Sequence, residues 1–415
     1  MILAGAAVVD ITPPAGLAMS GFAARTLPAS GTHDPLTVRA LAVGDTAIAI
    51  ADVIGIHHEM SARIRRRCVL PDERIIVAAL HNHGGPVSMV RRLGAEADPG
   101  YLALLEDACV KAIDEAVAQQ RPARLETGPG ADPDIARNRR RPDGPLDRSL
   151  PLLRVVGEDG AMIALMVNYA CHPVVLGADN TLWTADYPHY VRDALEAAHP
   201  GAVAIFMTGC VGDANTGHSA HASMSLAAKP ERTFAAAERI GRAIAEAAMQ
   251  APSRPLGEKT EARNAAVELH FEIREQDAPD ALAERWRREA ADADPQEATL
   301  LNHWIAWAEK VAGRDMCPLA ARVTLLDWGG LPIIGLPGEI FASTALSVRK
   351  AFGPDPLFIA GFAEDNPGYI PPQEEYAFGG YEVDEAHRYY GQPATFAPGS
   401  AERLAAAAVA LLPGR

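Results

Sequence analysis

The sequence is short of the residues that mark disulfide scaffolds, nucleic-acid-binding proteins and membrane proteins. Five of the 415 residues are cysteines, and none are in CxxC spacing, which is typical of reduced thiols. Lysine and arginine together number 38 against 53 acidic residues, a net charge of −15. A surface this acidic repels phosphate backbones, which argues against a nucleic-acid partner. No run approaches the roughly 18 apolar residues of a membrane-spanning helix.

Two further absences narrow the possible functions. Neither GxGxxG nor GxxxxGK[ST] follows any strand-like run, so the sequence offers no nucleotide-binding loop. The first residues have no basic side chain ahead of their apolar stretch and reach Asp10 early, which is unlike a secretory signal. Hydrophobic residues make up 48% and charged residues 22%, as in an average globular protein. We therefore expect a cytoplasmic enzyme or binding protein that acts on a small molecule.

The most informative pattern present is a set of short apolar runs, each ending abruptly in polar residues with glycine or proline. These strand-like runs are residues 75–80, 162–170, 202–207, 331–336 and 356–362. Helix-like segments lie between or after them, at residues 101–120, 233–250, 281–311 and 401–412. Buried strands alternating with helices predict an α/β protein with a mixed β-sheet core flanked by helices. In such folds, sites form at the carboxyl ends of the buried strands.

Histidines and a carboxylate stand at these predicted strand ends. His81 and His83 are two residues apart, so a strand that continued through them would point both rings to one face. His172 and Glu339 follow two other runs. Histidines with one carboxylate suit a catalytic zinc ion, which keeps one position open for water. The alternative is structural: hydrogen-bonded histidines at strand ends, and a glutamate at a helix N-terminus.

With these residues in place, the sequence resembles the amidase domain of the neutral, alkaline non-lysosomal ceramidase family. The resemblance lies in short segments that occur in the family's order and together span most of the chain. They are residues 5–13 (with Asp10-Ile11-Thr12), 31–36, 81–86 (HNHGGP), 138–139, 168–173 (NYACHP), 337–339 (PGE) and 369–376 (YIPPQEEY). The resemblance implies a single ceramidase-like hydrolase domain over residues 1–415. A helical insertion would occupy about residues 218–312.

The resemblance also implies roles for individual residues. The family's zinc ligands fall on His81, His172, Glu339 and Tyr369, which implies one zinc ion per chain. Its second histidine falls on His83, close to the metal without binding it, and His83 is then the candidate for moving protons. Arg139 would help to hold the carbonyl oxygen, and Tyr369 would also donate to the developing oxyanion. Tyrosine and glutamate oxygens would admit manganese or iron as well.

Three further residues are assigned supporting or substrate-binding roles. Asp186 matches a family aspartate and is predicted to orient a ligand histidine. Asn215 stands where the family has a serine, so a serine nucleophile in this loop is excluded, but its amide can hydrogen-bond a substrate. Asp213 in the same loop is placed with Asn215 as substrate-binding. Its alternatives are to support a ligand histidine or to fix its own turn.

The resulting functional hypothesis is a zinc-dependent hydrolase in which metal-bound water attacks a linear C–N amide bond. The substrate is expected to be small or medium-sized. An esterase or lactonase would use the same site, and a non-catalytic metal-binding or ligand-binding homologue is the third possibility. The family's secreted members carry a leader and a C-terminal β-domain that this sequence does not show. With the acidic charge, this argues against a membrane lipid as substrate.

Overall fold

The computed structural model describes residues 1–220, 225–227 and 229–413. The α-helices are His58–Arg67 (α1), Pro99–Ala118 (α2), Tyr187–Ala198 (α3), Phe234–Met249 (α4), Pro279–Asp292 (α5), Pro295–Val311 (α6), Ala342–Phe352 (α7) and Ser400–Leu411 (α8). Short 3₁₀ turns lie at Asp72–Arg74, Gln373–Ala377 and Ala386–Arg388, and a π turn at Tyr381–Glu385.

The strands include long ones that build two larger sheets and two-residue ones that pair locally. They are Ile2–Asp10 (β1), Gly31–Thr32 (β2), Thr37–Val43 (β3), Thr46–Ala51 (β4), Ile75–Ala79 (β5), Arg121–Gly130 (β6), Arg137–Asn138 (β7), Leu150–Gly157 (β8), Met162–Tyr169 (β9), Leu182–Trp183 (β10), Val203–Thr208 (β11), Ala214–Asn215 (β12), Arg254–Pro255 (β13), Thr260–Leu269 (β14), Phe271–Glu272 (β15), Leu319–Trp328 (β16), Pro332–Gly335 (β17), Glu339–Ile340 (β18), Phe358–Ala360 (β19), Tyr369–Ile370 (β20) and Thr395–Phe396 (β21).

The main sheet is mixed, as the sequence predicts. Its strand order is β11-β9-β8-β6-β1-β3-β4-β5, with β13 paired to β6. The pairs β4–β5 and β9–β11 are parallel, and the other pairs along this path are antiparallel. A second sheet has the order β14-β16-β17-β19, of which β17–β19 is parallel. Helices cover these sheets, so the predicted mixed α/β class is confirmed.

Burial on both faces explains why the strands are near-continuous apolar runs. In β4, Ile48 and Ile50 point into one core, which also holds α3 and α4 residues. The alternate residues Ala47, Ala49 and Ala51 point into a second core against α2. A strand whose two faces are both covered has no position where a polar side chain is favoured. The small alanines on the helix side let α2 approach the sheet closely.

The main sheet curls, which brings its two edge strands together. The Thr208 hydroxyl at the end of β11 donates to the Leu80 carbonyl just after β5, at 2.7 Å. The segment after β19 lies between these edges: the Gly361 amide donates to Thr208 at 3.0 Å, and the Ala79 amide donates to Phe362 at 3.1 Å. The carboxyl ends of β5, β9, β11 and β19 therefore meet around one point. This is where the candidate residues lie.

The predicted helix at 281–311 is two helices. Asp294 accepts a hydrogen bond from the Glu297 amide at 2.9 Å and starts α6, whose first residue is Pro295. Proline has no N–H group to continue the preceding helix, which is why α5 ends before it. Helices α5 and α6 pack through Trp286, Leu301 and Trp307 in a cluster of their own.

The region at about 218–312 is therefore more than a helical insertion. Of it, residues 221–224 and 228 lie outside the described residues. Helix α4 belongs to the first core, and β14 is an edge strand of the second sheet. The helical hairpin itself is α5 and α6, and the single-domain assignment stays a prediction. In the part of the chain that the structure describes, no helix is both long and apolar enough to cross a membrane.

Candidate metal centre

His81 follows β5 but does not continue the strand. Its φ is 64°, in the left-handed region, and its amide donates to the Val53 carbonyl at 2.9 Å. The ring stacks on Phe362 with centroids 3.9 Å apart, and Nδ1 donates to the Ile54 carbonyl at 2.6 Å. Because a carbonyl only accepts, the proton is on Nδ1 and Nε2 is left with its lone pair. The strand does not continue through His81 and His83, yet the two rings still meet, with their Nε2 atoms 3.4 Å apart.

His172 follows β9 and is oriented in the same way. Its backbone amide donates to Ala214, and its Nδ1 donates to the Val211 carbonyl at 2.9 Å. A hydrogen bond from the far nitrogen fixes the tautomer and aims the near nitrogen, as is common for metal-binding histidines. The Nε2 atoms of His81 and His172 thus face the same point. Burial lowers the pKa of His81 to about 3 and that of His172 well below its usual value, so both rings are neutral.

Glu339 lies opposite the two rings. Its Oε1 is 3.6 Å from Nε2 of His81 and its Oε2 is 3.4 Å from Nε2 of His172. These separations are long for hydrogen bonds. They match the spacing of about 3.3 Å between two ligands that each sit roughly 2.0–2.1 Å from a tetrahedral zinc ion. Among the described residues, Oε2 of Glu339 has no hydrogen-bond partner although it is buried.

The electrostatics of this carboxylate favour a cation. Burial raises the pKa of Glu339 to about 8, even though Tyr369 and Arg139 pull it down. A carboxylate this buried is costly unless a positive charge lies beside it. The two neutral imidazoles supply lone pairs but no charge. The donor set of His81, His172 and Glu339 therefore fits a divalent metal ion such as zinc.

The ring of His83 lies beside the rings of His81 and His172. Its Nε2 is 3.4 Å from Nε2 of His81, and the ligand atoms of His81, His83 and His172 all lie within 4.8 Å of one another. Arg25 donates to the His83 carbonyl at 2.8 Å. A Cβ on Gly21, whose φ is +100°, would lie 2.5 Å from the His83 ring, so glycine is needed there. The buried Nδ1 has no partner among the described residues.

Tyr369 and Arg139 lie on the Glu339 side of the site. Strands β18 and β20 pair in parallel with Glu339 opposite Tyr369. Arg139 Nη2 donates to the Tyr369 hydroxyl at 2.8 Å and to the Gly212 carbonyl at 2.9 Å, while its Nε donates to Glu382 at 2.9 Å. Burial alone would lower the pKa of Arg139, but Tyr369 and Glu382 raise it above its usual value. Burial raises the pKa of Tyr369 well above its usual value, so here it is a neutral phenol.

The loop after β11 holds Asp213 and Asn215 in different ways. Asp213 accepts from the Ala342 amide at 2.8 Å and from the Asn138 side chain at 2.9 Å, which ties this loop to α7 and β7. Each of its oxygens accepts a hydrogen bond within the protein, and Asp213 is not among the residues that line the small cavity, so its contact with substrate stays a prediction. Asn215 lines the small cavity at the cluster, and its amide closes the turn to His218 at 2.7 and 2.9 Å.

Asp186 also has a different supporting role from the one expected. Its carboxylate accepts from the amides of Val175 at 3.3 Å, Leu176 at 3.0 Å and Tyr187 at 2.7 Å. Burial raises its pKa to about 6, although these amides oppose the rise. Asp186 thus caps α3 and holds the loop that follows His172, whereas His172 itself is oriented by the Val211 carbonyl. It stabilises the site through backbone and not through a ring.

A small cavity lies beside His83 and Glu339, and a larger cavity adjoins it. The smaller has a volume of about 30 Å³, room for about one water molecule, and its wall includes His83, Arg139, Asn215, Glu339 and Tyr369. The larger has a volume of about 420 Å³ and shares part of its wall with the smaller one, including Gly21, Phe22, Leu93 and Tyr381. Helix α6 forms one side of the larger cavity through His303, Trp307 and Lys310. This volume suits a small-molecule ligand.

A curled mixed sheet with a second, smaller sheet and a buried histidine–carboxylate cluster at the strand ends is a neutral ceramidase-like fold. The comparison with solved structures shows this fold. The neutral ceramidase from Pseudomonas aeruginosa matches with a TM-score of 0.75 and 18% sequence identity, over 100% of this chain and 75% of that chain. A ceramidase complexed with C2 matches with a TM-score of 0.75 and 19% identity, over 99% and 75%.

The sequence comparisons give no further assignment, since no protein-family model and no curated protein matches the chain. The predicted resemblance is confirmed at the level of the fold.

Proposed function

We propose that this protein is a zinc-dependent hydrolase that cleaves a C–N amide bond in a small or medium-sized substrate. The observation that carries the proposal is the buried carboxylate of Glu339 between two histidines whose Nε2 atoms face it at 3.6 and 3.4 Å. His81, His172 and Glu339 would hold the ion, with Tyr369 as a fourth ligand. The solved structures of this fold, described as ceramidases, support amide hydrolysis. A cytoplasmic location stays a prediction from the sequence.

The chain's own residues would bind and orient the scissile group. When bound, zinc polarises a carbonyl and lowers the pKa of water towards about 7. Arg139 is held in place by Glu382 and Gly212, with its Nη2 beside the Tyr369 hydroxyl, so both donors face the developing oxyanion. The narrow cavity, with a volume of about 30 Å³, would leave little room for water once the scissile carbonyl has entered it. His83, neutral because burial lowers its pKa, would take a proton from the attacking water and pass it on to the leaving nitrogen.

Metal analysis tests the centre directly. Wild-type protein purified without chelator should hold about one zinc per chain, and His81→Ala and His172→Ala should each lose it. His270→Ala is the matched control, because His270 is exposed and contributes to neither cavity wall. Hydrolysis of a panel of amides, esters and lactones should be lost with the metal. Turnover by the metal-free variants, or a wild type that takes up no zinc, would contradict the proposal.

A variant of His83 distinguishes two roles for this residue, that of a proton carrier and that of a further metal ligand. We expect His83→Asn to keep about one zinc per chain and to lower kcat for amides by roughly 10²–10⁴-fold, because asparagine cannot exchange a proton near neutral pH. An ester with a good leaving group should suffer less, since its departure does not need protonation. The zinc content and both kcat values can be measured on the same sample. Loss of zinc from this variant would instead assign His83 to the metal.

A further inference from the structure

The larger cavity is basic in a protein that is strongly acidic. The net charge of the chain is −15, yet the described residues around this cavity include arginine and lysine and no aspartate or glutamate. The basic residues are Arg25, Arg91, Lys310 and Arg388. A concave surface with charges of one sign concentrates ligands of the opposite sign. Some of these cations already have hydrogen-bond or ion-pair partners within the protein, and the others are open to a ligand.

Arg25 and Arg388 have internal partners. Arg25 donates to the backbone carbonyls of His83 and Ser20 at 2.8 and 3.2 Å, so it serves as a structural support for the histidine loop. Arg388 lies 3.4 Å from Glu275 and stacks on Trp304, with its guanidinium 4.6 Å from the ring centroid. Arg25 is thus held in place by backbone carbonyls, and Arg388 by a carboxylate and an aromatic ring. They shape the cavity wall and leave Lys310 and Arg91 to be explained.

Lys310 and Arg91 are exposed at the cavity and form no ion pair within the described residues. Partial burial lowers the pKa of Lys310, and the nearby cations Arg314, Arg91 and Arg92 lower it further. Arg92 is already paired with Asp365 at 2.7 Å, whereas Lys310 and Arg91 are open to an anion from solution. Two cations that repel each other across one cavity are stabilised when an anion binds between them. Their cavity shares Phe22, Leu93 and Tyr381 with the narrow cavity at the metal centre.

We infer that the substrate is an amide carrying a carboxylate, which Lys310 and Arg91 bind while the scissile carbonyl enters the narrow cavity. This inference rests on the proposed amide hydrolysis and adds the substrate class to it. The wall between the two ends is apolar, with Phe22, Leu93 and Trp307, and suits the hydrocarbon part of such a molecule. An N-acyl amino acid and a dicarboxylic acid monoamide both have this chemistry. They differ in which product keeps the carboxylate.

Matched probes test the charge without changing the scissile bond. N-hexanoylglycine and the mono-N-propylamide of adipic acid carry a carboxylate on opposite sides of one secondary amide, and N-propylhexanamide is the neutral counterpart of both. We expect kcat/KM for one of the two acids to exceed that of the neutral amide by about tenfold or more, with the gain in KM. Lys310→Met and Arg91→Met should each remove about tenfold for that acid and leave the neutral amide unchanged. Lys350→Met is the control, because Lys350 is an exposed lysine outside the cavity.

The outcomes separate this inference from the proposed function. If wild type cleaves neutral and acidic amides equally and Lys310→Met changes neither, the acidic-substrate inference is overturned while the hydrolase stands. If no probe is cleaved, calorimetric binding of the two acids and the neutral amide to the zinc-loaded protein decides. Tighter binding of an acid that is lost in Lys310→Met supports the anion site even without turnover. Equal or absent binding of all three probes overturns it.

Discussion

Replacing Arg139 with methionine is expected to lower kcat for amide hydrolysis by about 10²–10³-fold while zinc stays bound. The Arg139 side chain is 6% exposed, and its guanidinium is aligned by Glu382 at 2.9 Å and by the Gly212 carbonyl at 2.9 Å. Donors fixed before the reaction stabilise developing charge without reorganising. Methionine keeps much of the volume but donates no hydrogen bond. Measuring kcat and zinc content on one sample separates catalysis from metal loss.

A neighbouring arginine provides the control for this variant. Arg141 lies in the same run and pairs with Glu375 at 2.6 Å, but its side chain is 35% exposed. Arg141→Met should leave kcat within about twofold, because Arg141 lines neither cavity and the buried Glu375 carboxylate keeps Arg140 as a partner at 2.8 Å. Arg140 also lies 2.5 Å from Glu382, so we expect that buried carboxylate to keep one partner in the Arg139 variant and the fold to be retained. Equal losses in both variants would mean that Arg139 acts only on stability.

Replacing Glu339 with glutamine is expected to abolish zinc binding and to lower activity by at least about 10³-fold. Glutamine has the same shape, so the packing against Tyr369 and Ile340 is preserved, but its neutral oxygen neutralises no charge on the ion. Glu374→Gln is the control, because Glu374 is an exposed glutamate on a nearby turn. Zinc content and turnover are measured together. Zinc retained by the Glu339 variant at wild-type level would exclude this carboxylate as a ligand.

The Glu339→Gln variant also tests a prediction about the stability of the metal-free protein, which does not depend on turnover. Burial raises the pKa of Glu339 from 4.5 to about 8, so the folded chain holds a proton that the unfolded chain releases in between. The free energy of unfolding of the metal-free wild type should therefore fall as pH rises from about 4.5 to about 8. Glutamine has no proton to lose, so this part of the pH dependence should disappear in denaturant titrations of Glu339→Gln.

The strands and several helices could be predicted because local sequence determines them. The apolar run at 75–80 became β5, and that at 202–207 became β11, since burial on both faces requires continuous apolar sequence. The helix predicted at 233–250 is Phe234–Met249. The break at Pro295 was visible in the sequence as a proline within a helical pattern. The charged and apolar residues on both sides of Pro295 nevertheless favour one continuous helix, which is why the sequence predicts a single helix over 281–311.

The supporting residues of the site could not be predicted in the same way. Glu382 and Arg25 follow no motif, and each acts through a partner far away in sequence: Arg139 for Glu382, and the His83 carbonyl for Arg25. The left-handed backbone of His81 depends on the Val53 and Ile54 carbonyls in another loop. Asp186 illustrates the converse. Its residue type suggested a partner for a ring, and only the fold shows that the partners are backbone amides.

The curl of the main sheet has a consequence for the order of folding. The residues proposed to share one ion come from the first, middle and last thirds of the chain, and they meet only when β5 and β11 close around the segment after β19. No nascent fragment that lacks the second sheet presents the full ligand set. Metal binding would thus be a late step in folding, and the bound ion would cross-link segments that are distant in sequence. Metal uptake would then indicate that the segments carrying the ligands have folded together.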